Sequence, residues 1–305
     1  MSLHVIVGAG PIGSATAKLL AGQGHQVRLV TRRGTGPEHP EIELAAADAA
    51  DRTALAKLSH GAEALYNCAS PPYHRWPVDW PPLADSLLAT AEETGAVLVT
   101  TSNLYGYGPV DGPMTERAPL GSTGVKGGVR RRMWLDALAA HEAGRVRATE
   151  VRSSDYLGAG TQSIFSIQVL PRVLAGKPAQ VPADLDAPHS WTYAGDVART
   201  LVAVATDERA LGRAWHVPTA PPVSLRELTG LACRLADAPR PKLSVMPGAV
   251  LWLGGLFNPL ARELRETQYQ FRRPFVLDSS AATETFGIEA TRTDHALREM
   301  VIPRP

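Results

Sequence analysis

The 305 residues carry 31 basic and 30 acidic side chains, a formal charge of +1, and 44% hydrophobic content. Charge balanced this closely, without long runs, excludes a stripe or tail for polymeric anions, so neither nucleic acid nor a membrane surface is an expected partner. Two cysteines, Cys68 and Cys233, exclude a disulfide framework or zinc knuckle, and the length suits one large domain or two intimately packed ones.

Leu3 to Val7 reads as the first strand. No basic segment, apolar stretch and cleavage pattern succeed one another there, so no export signal is expected. The strand runs directly into Gly8-Ala9-Gly10-Pro11-Ile12-Gly13 and a helix over Gly13 to Gly22. Chemistry demands this spacing for a dinucleotide. Gly8 permits the tight turn, Gly10 lets backbone approach a pyrophosphate, and Gly13 lets the helix pack closely on the strand. Gly8, Gly10, Pro11, Ile12 and Gly13 are therefore candidate cofactor residues.

The second strand, Gln26 to Thr31, ends in Arg32-Arg33, where a site preferring NAD usually offers an acid. Two guanidiniums suit a 2′-phosphate and point to NADP(H), the alternative being a solvated strand end. A third strand, Glu41 to Ala46, is followed by Asp48-Ala49, placed to accept from an adenine amino group. After a helix over Arg52 to Leu58, the fourth strand, Ala64 to Cys68, delivers the small residues Ala69 and Ser70. Either pair is equally compatible with ordinary strand-end chemistry. Helices over Leu83 to Thr94 and Val129 to Ala143 alternate with strands Val97 to Thr101 and Arg147 to Val151. This alternation predicts an α/β, Rossmann-type, doubly wound parallel sheet in three layers. Beyond Gly158 the pattern loosens and aromatics appear in loops, predicting a small C-terminal region over the substrate. Residues 1–157 plus about 190–215 are expected to bind NADP, and about 158–189 plus 216–305 the substrate. The apolar stretch Val245 to Phe257 is broken by Pro247, Gly248, Gly254 and Gly255 and is too short to span a bilayer. A reducing cytoplasm is the expected location, and no metal is expected.

Further strings carry a resemblance. They are Thr100-Thr101-Ser102-Asn103-Leu104-Tyr105-Gly106, Thr115-Glu116, Val151 to Gly158, Ser190 to Ala198 with its Asp196-Val197-Ala198, and Phe275 to Ser280. With the glycine motif, in this order, the chain resembles the extended short-chain dehydrogenase/reductases, the NAD(P)-dependent epimerase/dehydratase-like group, over nearly its whole length. The resemblance implies cofactor contacts from Thr100 and Ser153. Helices Leu83 to Thr94 and Val129 to Ala143 match those by which many relatives pair, which implies a homodimer.

The departure lies in the active site. Relatives use a Tyr and, four residues on, a Lys; counting from Glu116 and from Arg152 places Lys126 and Arg130 there. The resemblance then implies three catalytic residues. Thr101 would bond the substrate oxygen, Lys126 would give the proton, and Arg130 would grip the ribose, unless Lys126 and Arg130 only decorate a basic helix face. Where relatives hold a sugar-nucleotide diphosphate with Asn and Arg, this chain has Asp155 and His189. A carboxylate repels a diphosphate, which argues against such substrates and leaves Asp155 with His189 as an alternative proton relay. Tyr73, Trp76, Trp80, Trp191, Trp252 and Phe257 would suit a flat apolar molecule, or simply pack. Tyr73, Ser102, Asn103, Asp155, His189 and Trp191 are the candidate substrate residues. The expected function is NADPH-dependent reduction of a carbonyl or conjugated enone on a small apolar or aromatic, polyketide-like molecule. The rivals are an epimerase, dehydratase or cyclase of the same superfamily, and a non-catalytic NADP(H) sensor.

Overall fold

The computed structural model describes residues 1–247, 263 and 265–302. Trp252 and Phe257, two of the candidate aromatics, lie outside them, as does most of the apolar stretch. Seven parallel strands form the central sheet: β1 (Leu3–Val7), β2 (Gln26–Thr31), β3 (Ile42–Ala46), β4 (Ala62–Asn67), β5 (Val97–Asn103), β6 (Ala148–Ser153) and a late short strand (Ala214–His216). Their spatial order, with that late strand first, is Ala214–His216, β6, β5, β4, β1, β2, β3. The order reverses between β1 and β4, opening a crevice at the strand carboxyl ends where open α/β sheets bind ligands.

Both faces of the sheet are covered, as the hydrophobic runs along its strands require. On one face α2 (Arg52–Ser59), α3 (Trp76–Thr94) and α4 (Val125–Glu142), together with α1 (Pro11–Gly22) on the other, are the first four helices of the chain. Leu65 and Leu98 of the sheet gather with Trp80 and Leu87 of α3 in one core, whereas Ile6, Leu29, Leu20, Leu201 and Trp215 form the core on the α1 face. Helix α3 starts at Trp76, seven residues before the expected Leu83, although Pro81 and Pro82 lie inside it. Pro77 takes a first-turn position whose N–H has no partner to lose, and Val78 is exposed, so carbonyls freed by the inner prolines meet water.

Past β6 come β7 (Asp155–Leu157), α5 (Leu170–Leu174), β8 (Ala179–Val181), β9 (Trp191–Tyr193) and α6 (Ala194–Thr206), the last covering the α1 face. The late sheet strand is β10, followed by α7 (Leu225–Leu235) and β11 (Leu243–Val245). A separate core gathers Leu157, Phe165, Val181, Trp191, Leu228 and Leu297 beside the sheet. Parallel pairing of β7 with β9 sets Asp155 opposite Trp191, fixing the floor of the crevice. Asp196 is buried and accepts from the Thr291 N–H at 2.7 Å and its hydroxyl at 2.6 Å, so the Asp-Val-Ala motif clamps α6 to the C-terminal segment.

At the opposite end of the sheet the fully buried His4 ring bonds the Tyr66 hydroxyl at 3.1 Å and lies 3.2 Å from His25. Burial, reinforced by His25, lowers its pKa to about 4. A depressed histidine stays neutral in the fold and charges on unfolding, so its contribution is intact above the unfolded value and erodes as pH falls towards the folded one. Between pH 6.5 and 4 about 3 kcal/mol should be lost at this site. Thermal unfolding followed across that window should show a shallower loss in His4→Asn; an unchanged acid limb would exclude His4 as its source.

Candidate active site

The chain leaves β1 at Gly8 with φ +102°, and a Cβ there would lie 2.6 Å from the Cys68 carbonyl oxygen. A Cβ on Gly13 would meet the Gly8 carbonyl oxygen at 1.9 Å. Both positions exclude a side chain, whereas a Cβ on Gly10 would meet nothing within 4 Å, leaving backbone open to a ligand. Helix α1 opens on Pro11 with no side-chain cap. The amides of Ile12 and Gly13 therefore have no intrahelical acceptor and are available to an anion.

A cleft of about 580 Å³ runs from Gly10, Pro11, Ile12 and Arg32 past Ala69 and Ser70 to Thr101, Ser102 and Asn103. Arg33, Asp48 and Ala49 do not line it; Asp48 accepts from the Ala50 N–H at 3.0 Å and closes its own turn. Strand alternation separates the two threonines of β5. Thr101 faces the cleft, while Thr100 faces a cavity of about 410 Å³ between α3 and α4. The Thr101 hydroxyl lies 3.5 Å from the Cys68 thiol, which burial pushes up to about 11. Ser153 lines the cleft, its hydroxyl placed to donate to the Ser102 carbonyl at 3.2 Å or the Tyr156 hydroxyl at 2.9 Å.

Helix α4 turns Lys126 and Arg130 in different directions. Arg130 reaches the cleft, its guanidinium packed 4.7 Å from the Trp76 ring and 4.3 Å from the Trp80 ring, and donates to the Thr101 carbonyl at 3.3 Å. Burial disfavours its charge, which the two indole faces offset. Its Nε has no partner among the described residues. Lys126 is buried and does not line the cleft. Its ammonium is ion-paired with Glu263 and, at 3.3 Å, with Glu266, and sits 4.6 Å from the Tyr73 ring centre. The Lys126 N–H also donates to Glu266 at 2.7 Å.

The far end of the cleft is formed by Tyr73, Tyr105, Asp155, Tyr156, Gln270 and Phe275. Burial holds all three phenols on their protons: Tyr73 is pushed up to about 12, Tyr105 well above its ordinary value, and Tyr156 upwards. His189 lies behind Asp155, with Nε2 at 3.0 Å from the carboxylate and Nδ1 at 3.2 Å from the Gln270 carbonyl. Trp191 is buried 4.5 Å from the His189 ring, with its N–H donated to the Val223 carbonyl, so it backs the wall. Sequence reasoning did not find Tyr156, Gln270, Phe275, Glu263 or Glu266. Tyr156 and Phe275 stand in the quoted strings but were given no role there, Gln270, Glu263 and Glu266 stand in none, and only the folded register brings them to the cleft or to Lys126.

A family model described as the NAD dependent epimerase/dehydratase family matches residues 4–217. No curated protein sequence matches the chain. Among solved structures, the enzyme WbmH of Bordetella bronchiseptica in complex with NAD+ is 19% identical, covers 99% of this chain and 97% of its own, and superposes with a TM-score of 0.75. The dTDP-glucose 4,6-dehydratase of Bacillus anthracis with NAD is 14% identical over 99% and 96%, TM-score 0.78. UDP-glucuronic acid 4-epimerase of Bacillus cereus with NAD is 15% identical over 98% and 95%, TM-score 0.78. At such identities the likeness is one of fold.

Proposed function

Because the chain belongs to the NAD-dependent epimerase/dehydratase family, we propose that it is an NADP(H)-dependent reductase of a carbonyl or conjugated enone on a small, uncharged, apolar or aromatic molecule. The observation that carries this reading is the polarity of one continuous cleft. Arg32 and the open amides of α1 stand at one end, where a dinucleotide phosphate belongs, and Asp155, Tyr105, Gln270 and Phe275 stand at the other, which has no Lys or Arg among its described lining residues to hold an anionic substrate. The unpartnered, buried Nε of Arg130 gives the fit test between the ends: the fork has a donor to spare for a ribose hydroxyl. Residues 1–157 and about 190–215 hold the cofactor on this reading, and the remaining stretches cover the substrate.

The nicotinamide, when bound, supplies the hydride. The chain's own part is positioning. Thr101 offers its hydroxyl to the carbonyl oxygen, and Arg130 holds the ribose. Tyr73, Trp76 and Phe275 provide flat walls for an apolar ring. We assign Lys126 to anchoring the Glu263–Glu266 segment rather than to proton transfer, since its ammonium is buried in ion pairs away from the cleft. A cytoplasmic homodimer, paired through α3 and α4, completes the reading; among the described residues no helix is long and apolar enough to cross a membrane.

A second reading is an epimerase, dehydratase or cyclase whose cofactor returns to its starting state. It is supported by the family and by neighbours such as the dehydratase and the epimerase solved with NAD. NADPH absorbance followed over a panel of ketones and enones separates the two. Stoichiometric oxidation supports the reductase, product without net oxidation the second reading, and tight binding with no product a sensor. Arg32→Ala with Arg33→Ala should weaken NADP(H) roughly 10- to 100-fold, the worth of one charge-assisted contact at about 1.5–3 kcal/mol, and leave NAD(H) nearly unchanged. Equal losses for both dinucleotides in calorimetric titration would remove the 2′-phosphate assignment.

A further inference from the structure

We propose that Asp155 is the group that hands the substrate its proton, and that His189 is the positioning residue that keeps it loaded. The inference rests on the reductase reading, which needs a proton at the substrate oxygen once hydride has reached carbon.

The geometry begins with donors and acceptors. A backbone carbonyl only accepts, so the 3.2 Å contact with the Gln270 oxygen makes His189 Nδ1 a donor. In a neutral ring the other nitrogen would then present a lone pair to the Asp155 carboxylate at 3.0 Å, an arrangement of two acceptors. The contact becomes a hydrogen bond when one more proton sits between them, on nitrogen or on oxygen. The fully bonded pair therefore holds two protons on three sites, one of them transferable.

Everything around His189 preserves this arrangement. Its ring is stacked against both Phe271 and Phe275, at 5.0 and 5.3 Å between centres, with interplanar angles of 8° and 26°. Its backbone is fixed on both sides, donating to Val223 at 3.3 Å and accepting from the Val223 N–H at 3.1 Å. The ring is almost fully buried, whereas the Asp155 side chain keeps 17% of its surface exposed and lines the cleft beside Tyr105 and Gln270. The titratable side chains that face Asp155 from other elements are Tyr73 and Tyr105, with Tyr156 next to it on β7. Burial makes each phenol a weaker acid than usual, and proton donors work best with an acidity near that of the medium. Lys126 is committed to Glu263 and Glu266. Asp155 is thus the cleft group with a proton to give.

The step balances simply. The substrate carbon gains two electrons and a hydrogen as hydride, supplied by NADPH on the parent reading. The proton shared by Asp155 and His189 passes through a carboxyl oxygen of Asp155 to the substrate oxygen, forming the alcohol O–H bond as the acid O–H bond breaks. The pair is left as carboxylate and neutral imidazole, and solvent entering the cleft restores the proton.

Two measurements on the full chain test this. First, ¹⁵N-histidine and ¹³C-aspartate NMR of the protein without added ligand, near neutral pH, should count two protons on the pair; a count of one overturns the proposal. Second, Asp155→Asn, which keeps shape but loses the acid, should lower kcat for a ketone roughly 100-fold or more, the usual worth of a general acid. KM and NADPH affinity should change little, and the solvent isotope effect should change with kcat. His189→Gln should lower kcat less than Asp155→Asn does. Wild-type kcat in Asp155→Asn overturns the assignment, as does a loss confined to KM. A wild type that binds no NADPH sinks the reductase reading instead, and the proton count then decides the pair by itself.

Discussion

Gly13→Ala is expected to weaken dinucleotide binding severely and to destabilise the fold. The new methyl would lie 1.9 Å from the Gly8 carbonyl oxygen, about half a normal contact distance, and both atoms belong to backbone that cannot rotate away. Helix α1 must then lift off β1. Overpacking of this kind costs about 1–3 kcal/mol and sometimes more. The lift also withdraws the free amides of Ile12 and Gly13, so the loss of two charge-assisted contacts should weaken NADPH by roughly 100-fold or more. Gly10→Ala is the internal control, because its methyl meets nothing within 4 Å. It should melt with the parent, and any loss of affinity must come from the ligand itself. Thermal unfolding and calorimetric titration of the two variants check this; a Gly13→Ala protein that melts and binds like the parent would contradict the packing argument.

The second large effect is expected far from the glycine turn. Glu150 and Arg152 on β6 form an ion pair at 2.6 Å, with 2% and 3% of their surfaces exposed. Arg152 also donates to the Tyr107 hydroxyl at 2.6 Å, which lies 2.8 Å from His216 Nε2, and His216 Nδ1 is 2.8 Å from the Asp278 carbonyl. Because that carbonyl only accepts, Nδ1 donates. Burial keeps the His216 ring neutral by lowering its pKa, so its Nε2 accepts a hydrogen bond from the Tyr107 hydroxyl. Every member of the chain is satisfied, and removing the carboxylate leaves a guanidinium buried without its counter-charge. Glu150→Ala should cost about 3–5 kcal/mol in urea unfolding. Glu150→Leu combined with Arg152→Met, which removes both charges, should recover most of that loss. A double variant as unstable as the single one would show that packing, rather than the unpaired charge, dominates.

Local rules made much of the fold legible in the sequence. The glycine turn was readable because its demands are short-range, and alternating strands and helices implied the parallel sheet with its crevice. Boundaries failed where local chemistry misled. The helix expected from Val129 is α4, which starts at Val125, before Gly127 and Gly128. Gly127 is glycine for close approach: a Cβ would sit 1.9 Å from the Ser122 hydroxyl and 2.4 Å from the Tyr105 carbonyl. Strand β10 has only three residues, Ala214, Trp215 and His216, too few to show a period. Thr100 was grouped with the cofactor residues by its motif, but on β5 its side chain faces α3 and α4, opposite to that of Thr101. The Asp155–His189 contact spans 34 residues and arises from the pairing of β7 with β9, which no one-dimensional pattern encodes.

The carboxylate cage around Lys126 also constrains how this site is able to evolve. Placing tyrosine at position 126 by a single change would remove the ammonium that Glu263 and Glu266 share, and would set a phenol against Tyr73. A one-step exchange at 126 therefore deprives two glutamates of a shared cation, a cost that changing 263 and 266 first avoids, so the order of substitutions matters. Attempts to graft the relatives' Tyr/Lys pair onto this scaffold should start at 263 and 266.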